Sequence, residues 1–348
     1  MVRSYLDHNA TTPLRPEARA AMIAAMDVAG NPSSVHGEGR KAKALVERAR
    51  GQVAAALGAE GADIVFVSGA TEGAALAMAG RGLQACGIEH DAVLAWAEES
   101  LHADRNGLVS PAAPGQSTLQ IANSETGVVQ SLPEGLALSD LTQGFGKLPL
   151  AFNWLGCRMA LVSAHKLGGP KGIGALVMQR GTDLAAGLLG GGQEMGRRAG
   201  TENVIGIAGF GAAAEAAARD LAAGLWGEVA ARRDRLEARL RDAEPELEIA
   251  GSGAPARLPN TSCLVTPGWK GETQVMQMDL AGFAVSAGSA CSSGKLRASK
   301  VLQAMGYDEA AAAGALRVSL GPLTTDEELE RFATAWLAQR RKHHARAA

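Results

Sequence analysis

The chain has 348 residues, 47% of them hydrophobic and 4% aromatic, which is enough apolar material for about two packed domains and too much for a disordered segment. Its 34 basic and 36 acidic residues are interspersed and leave a net charge of −2, so no basic field is available to hold a nucleic-acid backbone or a membrane surface. The N-terminal MVRSYLDHNATT lacks an apolar signal-peptide core and no run approaches the roughly 18 apolar residues of a membrane span, so a cytoplasmic protein is expected.

In chain order, the alanine-rich segments PEARAAMIAAM and KAKALVERARGQVAAAL have helical spacing and lead to a buried strand in GADIVFVS. That strand ends at Ser68. A tight Gly69-Ala70 turn follows, and Thr71 opens a further alanine-rich helix. GIEHDAVLAW sets His90 between a glutamate and an apolar run. SDLTQG carries Asp140 and Gln143. The apolar runs ALVS and IGALVM flank SAHKLGGPKG, which puts Lys166 at the mouth of a glycine-rich turn between two strands expected to be buried. A helix over GIAGFGAAAEAAARDLAAGL and a charged helix from Trp226 to Asp242 come next. Composition then shifts at AGSGAPARLPN, which marks an expected domain boundary. Beyond it lie the run SCLVT, a loop around Cys291, a helix near Lys300 to Met305 and a closing helix from Thr325 to about Lys342 that opens with TTDEELE. This alternation predicts an α/β fold with a mainly parallel sheet covered by helices. The expected division is a large domain over residues 15–250 and a small domain built from 1–14 and 251–348.

Lys166 is the chemical focus. A turn lysine is commonly just solvated, but a desolvated or paired one can capture an aldehyde cofactor such as pyridoxal phosphate. Such a cofactor also needs an anion site. The free amides at the start of the helix opened by Thr71 would supply one, although the same residues also describe an ordinary threonine-capped turn. Asp140, 26 positions before Lys166, is the kind of carboxylate that keeps a pyridine nitrogen protonated so that the ring can act as an electron sink. Gln143 would lie on the same side. His90 reads either as a structural histidine or as an imidazole that stacks on a flat ring and moves protons. The four cysteines, Cys86, Cys157, Cys263 and Cys291, form no C-x-x-C pair, which argues against a disulfide framework and against a zinc site. Cys291 sits in the small, polar SAGSACSSGKLRASK, which suits a reactive surface thiol favoured as thiolate by Lys295 and Arg297. A small buried cysteine is the alternative, and it is the expected state of the other three.

The ordered set YLDHNATTPLRPE, GNPSSVHGEGR, SGATE, EHDAVL, NSETGVVQ, D-x-T-Q, SAHKLGGPKGIGAL, GGGQEMGRRAGT, PNT, GSACSSG and LRVSLG resembles the NifS/IscS-type cysteine desulfurases. These are pyridoxal-phosphate enzymes of the class V aminotransferase group, and the resemblance runs from about Tyr5 to Glu330. It implies the fold type I architecture, a large domain with a mainly parallel seven-stranded sheet between helices plus a smaller α+β domain carrying the Cys291 loop. It also implies that Lys166 is the Schiff-base lysine, with Ser163 and His165 beside it, and that Ala70 and Thr71 form the phosphate turn. By the same resemblance Asp140 pairs with the pyridine nitrogen, Gln143 contacts the ring hydroxyl and His90 stacks on the ring. Thr201 would reach the phosphate site of a neighbouring subunit, which implies a homodimer. Arg317, with Asn31, would bind substrate, the arginine gripping its carboxylate. Cys291 would take sulfur from L-cysteine as a persulfide and leave alanine. A sulfur-acceptor or iron-sulfur scaffold protein would then receive it.

Some positions depart from the family pattern. Asn123 and Ser124 stand where the family has a cofactor-contacting asparagine, on the Ser124 side. Gln193 replaces a histidine, the loop after Cys291 reads KLRAS, and the segment SLPEGLALS is short where a crossover helix and strand usually stand. The same residues also admit a class V aminotransferase or selenocysteine lyase acting on another amino acid, or a non-catalytic paralogue. The joint presence of Lys166, Asp140, His90, Arg317 and Cys291 opposes the last, since a protein that only binds has no need of an electron-sink pocket.

Overall fold

The computed structural model describes residues 3–288 and 298–347. The chain opens with strand β1 (Ser4–Tyr5) and helices α1 (Pro16–Met26) and α2 (Gly37–Leu57). The buried side of α2 is Ala42, Val46, Ala49, Val53 and Leu57, spaced three to four residues apart as one face of a helix requires. There follow β2 (Asp63–Val67), α3 (Ala70–Met78), β3 (Gln84–Cys86), α4 (Asp91–Leu94), β4 (Glu98–Leu101), β5 (Leu136–Asp140), β6 (Cys157–Ser163) and β7 (Gly174–Met178). Helices α5 (Val204–Ala222) and α6 (Leu225–Ala243) lead to β8 (Glu248–Ile249), β9 (Thr261–Val265), α7 (Gly271–Leu280), β10 (Phe283–Ala284) and β11 (Ser286–Ala287). The chain closes with α8 (Lys300–Ala304), α9 (Glu309–Ala313), β12 (Ala315–Ser319) and α10 (Asp326–Ala347).

The large sheet runs β2-β7-β6-β5 and continues through the extended segment 117–121 to β3 and β4. Counting that segment as a strand gives the seven strands implied by the sequence. β7 is antiparallel to both neighbours, whereas β6 to β5, β5 to 117–121, 117–121 to β3 and β3 to β4 are parallel. All five residues of β7 are buried, as expected for a strand covered on both faces. Helices α1, α2 and α5 pack together on one side of the sheet and α3 lies on the other. The short segment before β5 carries no helix. Residues 122–129 form a tight hairpin, with Ala122 bridged to Val129, and the chain then passes directly to β5.

A second, antiparallel sheet has the order β11-β12-β9-β8. Its alternating side chains serve two cores. Cys263, Val265 and Ala315 face the first, shared with the large sheet, while Leu264, Leu316 and Val318 face the second, built with α7 and α10. Trp226, Val229, Leu236 and Leu240 of α6 also lie in that second core. Helix α6 therefore belongs to the second core, while Ala250, Leu258, Val301 and Tyr307 later in the chain return to the first. A helical period reveals an apolar face but not the core that receives it. The N-terminal segment joins both halves: Ser319 donates its backbone N–H to Leu6, and Thr12 donates to the carbonyl of His165.

Candidate active site

The carboxyl ends of β2, β3, β5 and β6 meet the N-terminal segment and β12 around a cavity of about 690 Å³. Crevices at this edge are where ligands of open α/β sheets bind. After β2, Gly69 starts α3 without any side chain capping it, so the first helical amides have no partner within the helix, and Ala70 and Thr71 line the cavity. Gly174 of β7 permits this turn to sit low on the sheet. A side chain there would bring its Cβ to 2.9 Å from the Gly69 Cα and 2.5 Å from the Val162 carbonyl oxygen.

After β6 a single 3₁₀ turn, Ala164–Lys166, presents His165 and Lys166. Lys166 Nζ donates to the carbonyls of Asn9 at 2.6 Å and Ala10 at 2.9 Å, and Thr12 Oγ1 donates to the Lys166 carbonyl at 3.0 Å. The N-terminal DHNATT turn thus clamps the lysine. His165 Nδ1 lies 3.1 Å from Thr11 Oγ1, and burial, then the charges of Lys166 and Lys171 and the nearby His90, push this imidazole down to about 4, leaving it neutral near pH 7.

Asp140 ends β5, and its Oδ1 accepts from the Thr142 amide at 2.8 Å. Behind it Glu89 is buried, and burial, reinforced by the Asp140 charge, pushes its carboxyl up to about 8. His90 caps α4: its Nδ1 accepts the Ala92 amide at 3.0 Å, so the ring proton sits on Nε2. Arg317 of β12 donates from Nη2 to Asp7 Oδ1 at 2.7 Å and from Nη1 to the Ser124 carbonyl at 3.2 Å, while its Nε is buried with no partner.

Ala70, Thr71, His90, Ser124, Asp140, Gln143, Ser163, His165, Lys166 and Arg317 all line this one cavity. Asn123 does not reach it. Its Oδ1 accepts from the amides of Glu125 and Thr126 and closes the 122–129 turn, and its Nδ2 donates to the Ile88 carbonyl at 3.0 Å and ties that turn to the segment before His90. Thr201 lines a separate cavity of about 220 Å³ that shares only Ser68 and Gly172 with the first. Asn31 is exposed in a turn where its Oδ1 accepts from Ser33 N. Cys291, Lys295 and Arg297 lie outside the described residues. Cys86, Cys157 and Cys263 are buried, and burial pushes their thiols up, Cys157 to about 12.

Three residues around the site escaped the sequence reading. Asn9 is fully buried and ties the N-terminal turn to Ser124, Thr261 and Asn260. Lys147, in the apolar stretch GFGKLPL, is buried with its Nζ on Asn9 Oδ1 at 3.2 Å and Gln143 Oε1 at 2.9 Å. A lone lysine amid apolar residues was the available signal. Glu89 stands in the sequence simply as the neighbour of His90.

This donor set fits pyridoxal phosphate: an amine for the aldehyde, uncapped helix amides for the phosphate, and a carboxylate for the ring nitrogen. The buried Arg317 Nε and the buried, unpartnered Thr142 Oγ1 leave donor capacity for a further ligand. Fold and cavity together define a pyridoxal-phosphate enzyme of fold type I. A family model for the class-V aminotransferases matches residues 4–105 and 117–332. The chain is 38% identical to a cysteine desulfurase of Cereibacter sphaeroides, covering 95% of this chain and 94% of that protein. It is 36% identical to an IscS-named cysteine desulfurase of Archaeoglobus fulgidus, covering 94% of each. The crystal structure of a NifS-like protein from Rickettsia africae superposes with a TM-score of 0.88 at 32% identity, over 97% of this chain and 99% of that one. The chain belongs to the class-V aminotransferase family, among the NifS/IscS-type cysteine desulfurases. No helix among the described residues is long and apolar enough to cross a membrane.

Proposed function

We propose that this enzyme removes sulfur from L-cysteine, giving L-alanine and a persulfide on Cys291, with Lys166 as the amine that holds pyridoxal phosphate. The observation that carries this reading is the convergence of Lys166, Asp140, the uncapped start of α3 and Arg317 on one cavity. When bound, pyridoxal phosphate supplies an electron sink for the bonds at the substrate's α carbon.

Asp140 would hold the ring nitrogen of that group and the amides of Ala70 and Thr71 its phosphate, with Ser163 beside the Gly69 turn. His90 covers the site and keeps its ring proton on Nε2, and the neutral His165 avoids adding a second cation beside Lys166. Lys166 exchanges protons at the α carbon from its seat on the Asn9 and Ala10 carbonyls. Arg317 takes the substrate carboxylate with the N–H groups that Asp7 and Ser124 do not use. The Cys291 thiolate attacks the substrate sulfur and forms an S–S bond. The carbon–sulfur electron pair stays with the substrate, which takes up protons and leaves as alanine.

We further propose a homodimer in which Thr201 serves the partner's phosphate site, because Thr201 is exposed and outside its own chain's main cavity. The exposed apolar side chains of Leu188, Leu189 and Met195 on the same segment suit such an interface. The persulfide is passed to a sulfur-acceptor or iron-sulfur scaffold protein. Titration of the purified protein with pyridoxal phosphate tests the core of the reading. A saturable visible absorbance band is expected in the wild type and is lost in Lys166→Ala at unchanged melting temperature. An undiminished band in Lys166→Ala would remove Lys166 from its role.

A further inference from the structure

Lys147 occupies an expensive position. It lies on the turn after β5, four residues beyond Gln143, and this turn can press against α5 because Gly146 has φ +75° and a Cβ there would fall 2.9 Å from Ala217 Cβ. The side chain is 3% exposed, and among the described residues no carboxylate forms an ion pair with it. The charges that face it are cationic, Lys166 from the turn after β6 and Arg317 from β12, and burial together with these two pushes the ammonium down to about 7. His8, on the N-terminal segment, is itself pushed down to about 4 by burial and by Lys147. A methionine would fill the same space without the desolvation cost.

The hydrogen bonds supply a reason for keeping it. Below about pH 7 Lys147 is an ammonium, which donates and never accepts. Its two acceptors, Gln143 Oε1 and Asn9 Oδ1, are therefore turned towards it, and both amide NH₂ groups are turned away. Gln143 Nε2 then donates to the Asn9 carbonyl at 3.0 Å, and Asn9 Nδ2 donates to Thr261 Oγ1 and to the Ser124 carbonyl. The same Asn9 carbonyl oxygen accepts from Lys166 Nζ at 2.6 Å. Gln143 lines the cavity, and with its oxygen committed to Lys147 the group left for a ligand is its second N–H.

We propose that Lys147 is a positioning residue: it fixes the Gln143 amide so that an N–H donor, not an oxygen acceptor, meets the ring oxygen of bound pyridoxal phosphate, and it steadies the Asn9 carbonyl that seats Lys166. The inference rests on the function proposed above. A neutral donor should therefore replace Lys147 in orienting the amides but not in placing a cation beside Lys166.

The experiment compares wild type, Lys147→Met and Lys147→Gln for pyridoxal-phosphate dissociation constant, for the pH midpoint of the cofactor's visible band and for melting temperature. Wild type alone first decides the reading of the site, since failure to form the Lys166-dependent band would sink that reading and not this one. Lys147→Met is expected to bind the cofactor about 10- to 30-fold more weakly, from loss of the oriented hydrogen bond. Its midpoint should rise, by up to about one pH unit in so far as Lys147 is charged at that pH, because removal of a cation favours the protonated form of Lys166. Lys147→Gln should recover affinity to within about threefold of wild type while keeping the raised midpoint. Wild-type affinity and midpoint in Lys147→Met, with only the melting temperature changed, would reduce Lys147 to a structural role and overturn the proposal. So would a Lys147→Gln variant as weak as Lys147→Met. If the methionine variant does not fold, Gln143→Leu takes its place, and wild-type affinity in that variant overturns the proposal equally.

Discussion

Replacing Arg317 with methionine separates substrate recognition from architecture. The guanidinium is 5% exposed and held by Asp7 Oδ1 at 2.7 Å and the Ser124 carbonyl at 3.2 Å, which uses two of its five N–H donors and leaves the buried Nε without a partner. Two charge-assisted hydrogen bonds to a substrate carboxylate would gross about 3–6 kcal/mol, and competition from Asp7 offsets part of this. A net loss of about 3 kcal/mol corresponds to a rise in KM of roughly 100-fold for L-cysteine. Arg317→Lys, which keeps the charge and loses the fork, should cost about tenfold. The turnover number should change far less, because the guanidinium acts on the carboxylate and not on the breaking bond. Removing Arg317 also leaves the partly buried Asp7 without its cation, at a cost of about 2–3 kcal/mol of stability. The double variant Asp7→Asn/Arg317→Met should therefore regain melting temperature and keep the raised KM. The assay is the initial rate of alanine formation over a range of L-cysteine concentrations, beside a thermal melt. A KM that stays at the wild-type value in Arg317→Met, with only the melt affected, would refute the assignment and leave Arg317 as the structural partner of Asp7.

Further outcomes follow from the same geometry. Glu89 is neutral in the folded protein up to about pH 8 and ionised in the unfolded chain above about pH 4.5, so the folded state binds the extra proton between those limits. Its contribution to stability is full below that window and is lost as pH rises through it. Glu89→Gln, measured by denaturant melts at pH 5 and pH 8, should lose a pH-dependent difference on the order of 2–4 kcal/mol relative to wild type. An unchanged difference would mean that Glu89 is ionised in the fold. The proposed dimer should sediment as a single species of twice the chain mass, and Thr201→Ala should weaken cofactor retention by about tenfold while the species stays dimeric. A monomer that retains the cofactor fully would dismiss the exchange of Thr201 between subunits.

What the sequence revealed and what it hid divide along a physical line. Lys166, Asp140, Thr71 and His90 were legible because each lies where a buried apolar run gives way to a turn or helix start, and strand ends on one edge of such a sheet must converge. Asn9 was hidden because its partners lie 115 and more residues away, and Lys147 because its bond to Asn9 spans 138, and no local pattern encodes a contact of that length. Asn123 is held locally instead: its Oδ1 accepts from the turn that it closes and its Nδ2 donates to the Ile88 carbonyl, 35 residues earlier, a pairing that the neighbouring sequence does not announce. The place of α6 in the second core was hidden as well. Its apolar positions predict a buried face, but they carry no information about which sheet will cover it.

The most direct test of the central claim is product analysis with L-cysteine. Purified protein supplied with pyridoxal phosphate and a reductant is assayed for alanine and sulfide, in parallel with Cys291→Ser. The account requires equal amounts of the two products from the wild type and neither from Cys291→Ser, with the cofactor's visible band and its response to L-cysteine retained in the variant. Undiminished sulfide release by Cys291→Ser would contradict the persulfide route. Alanine without matching sulfide would contradict desulfuration itself.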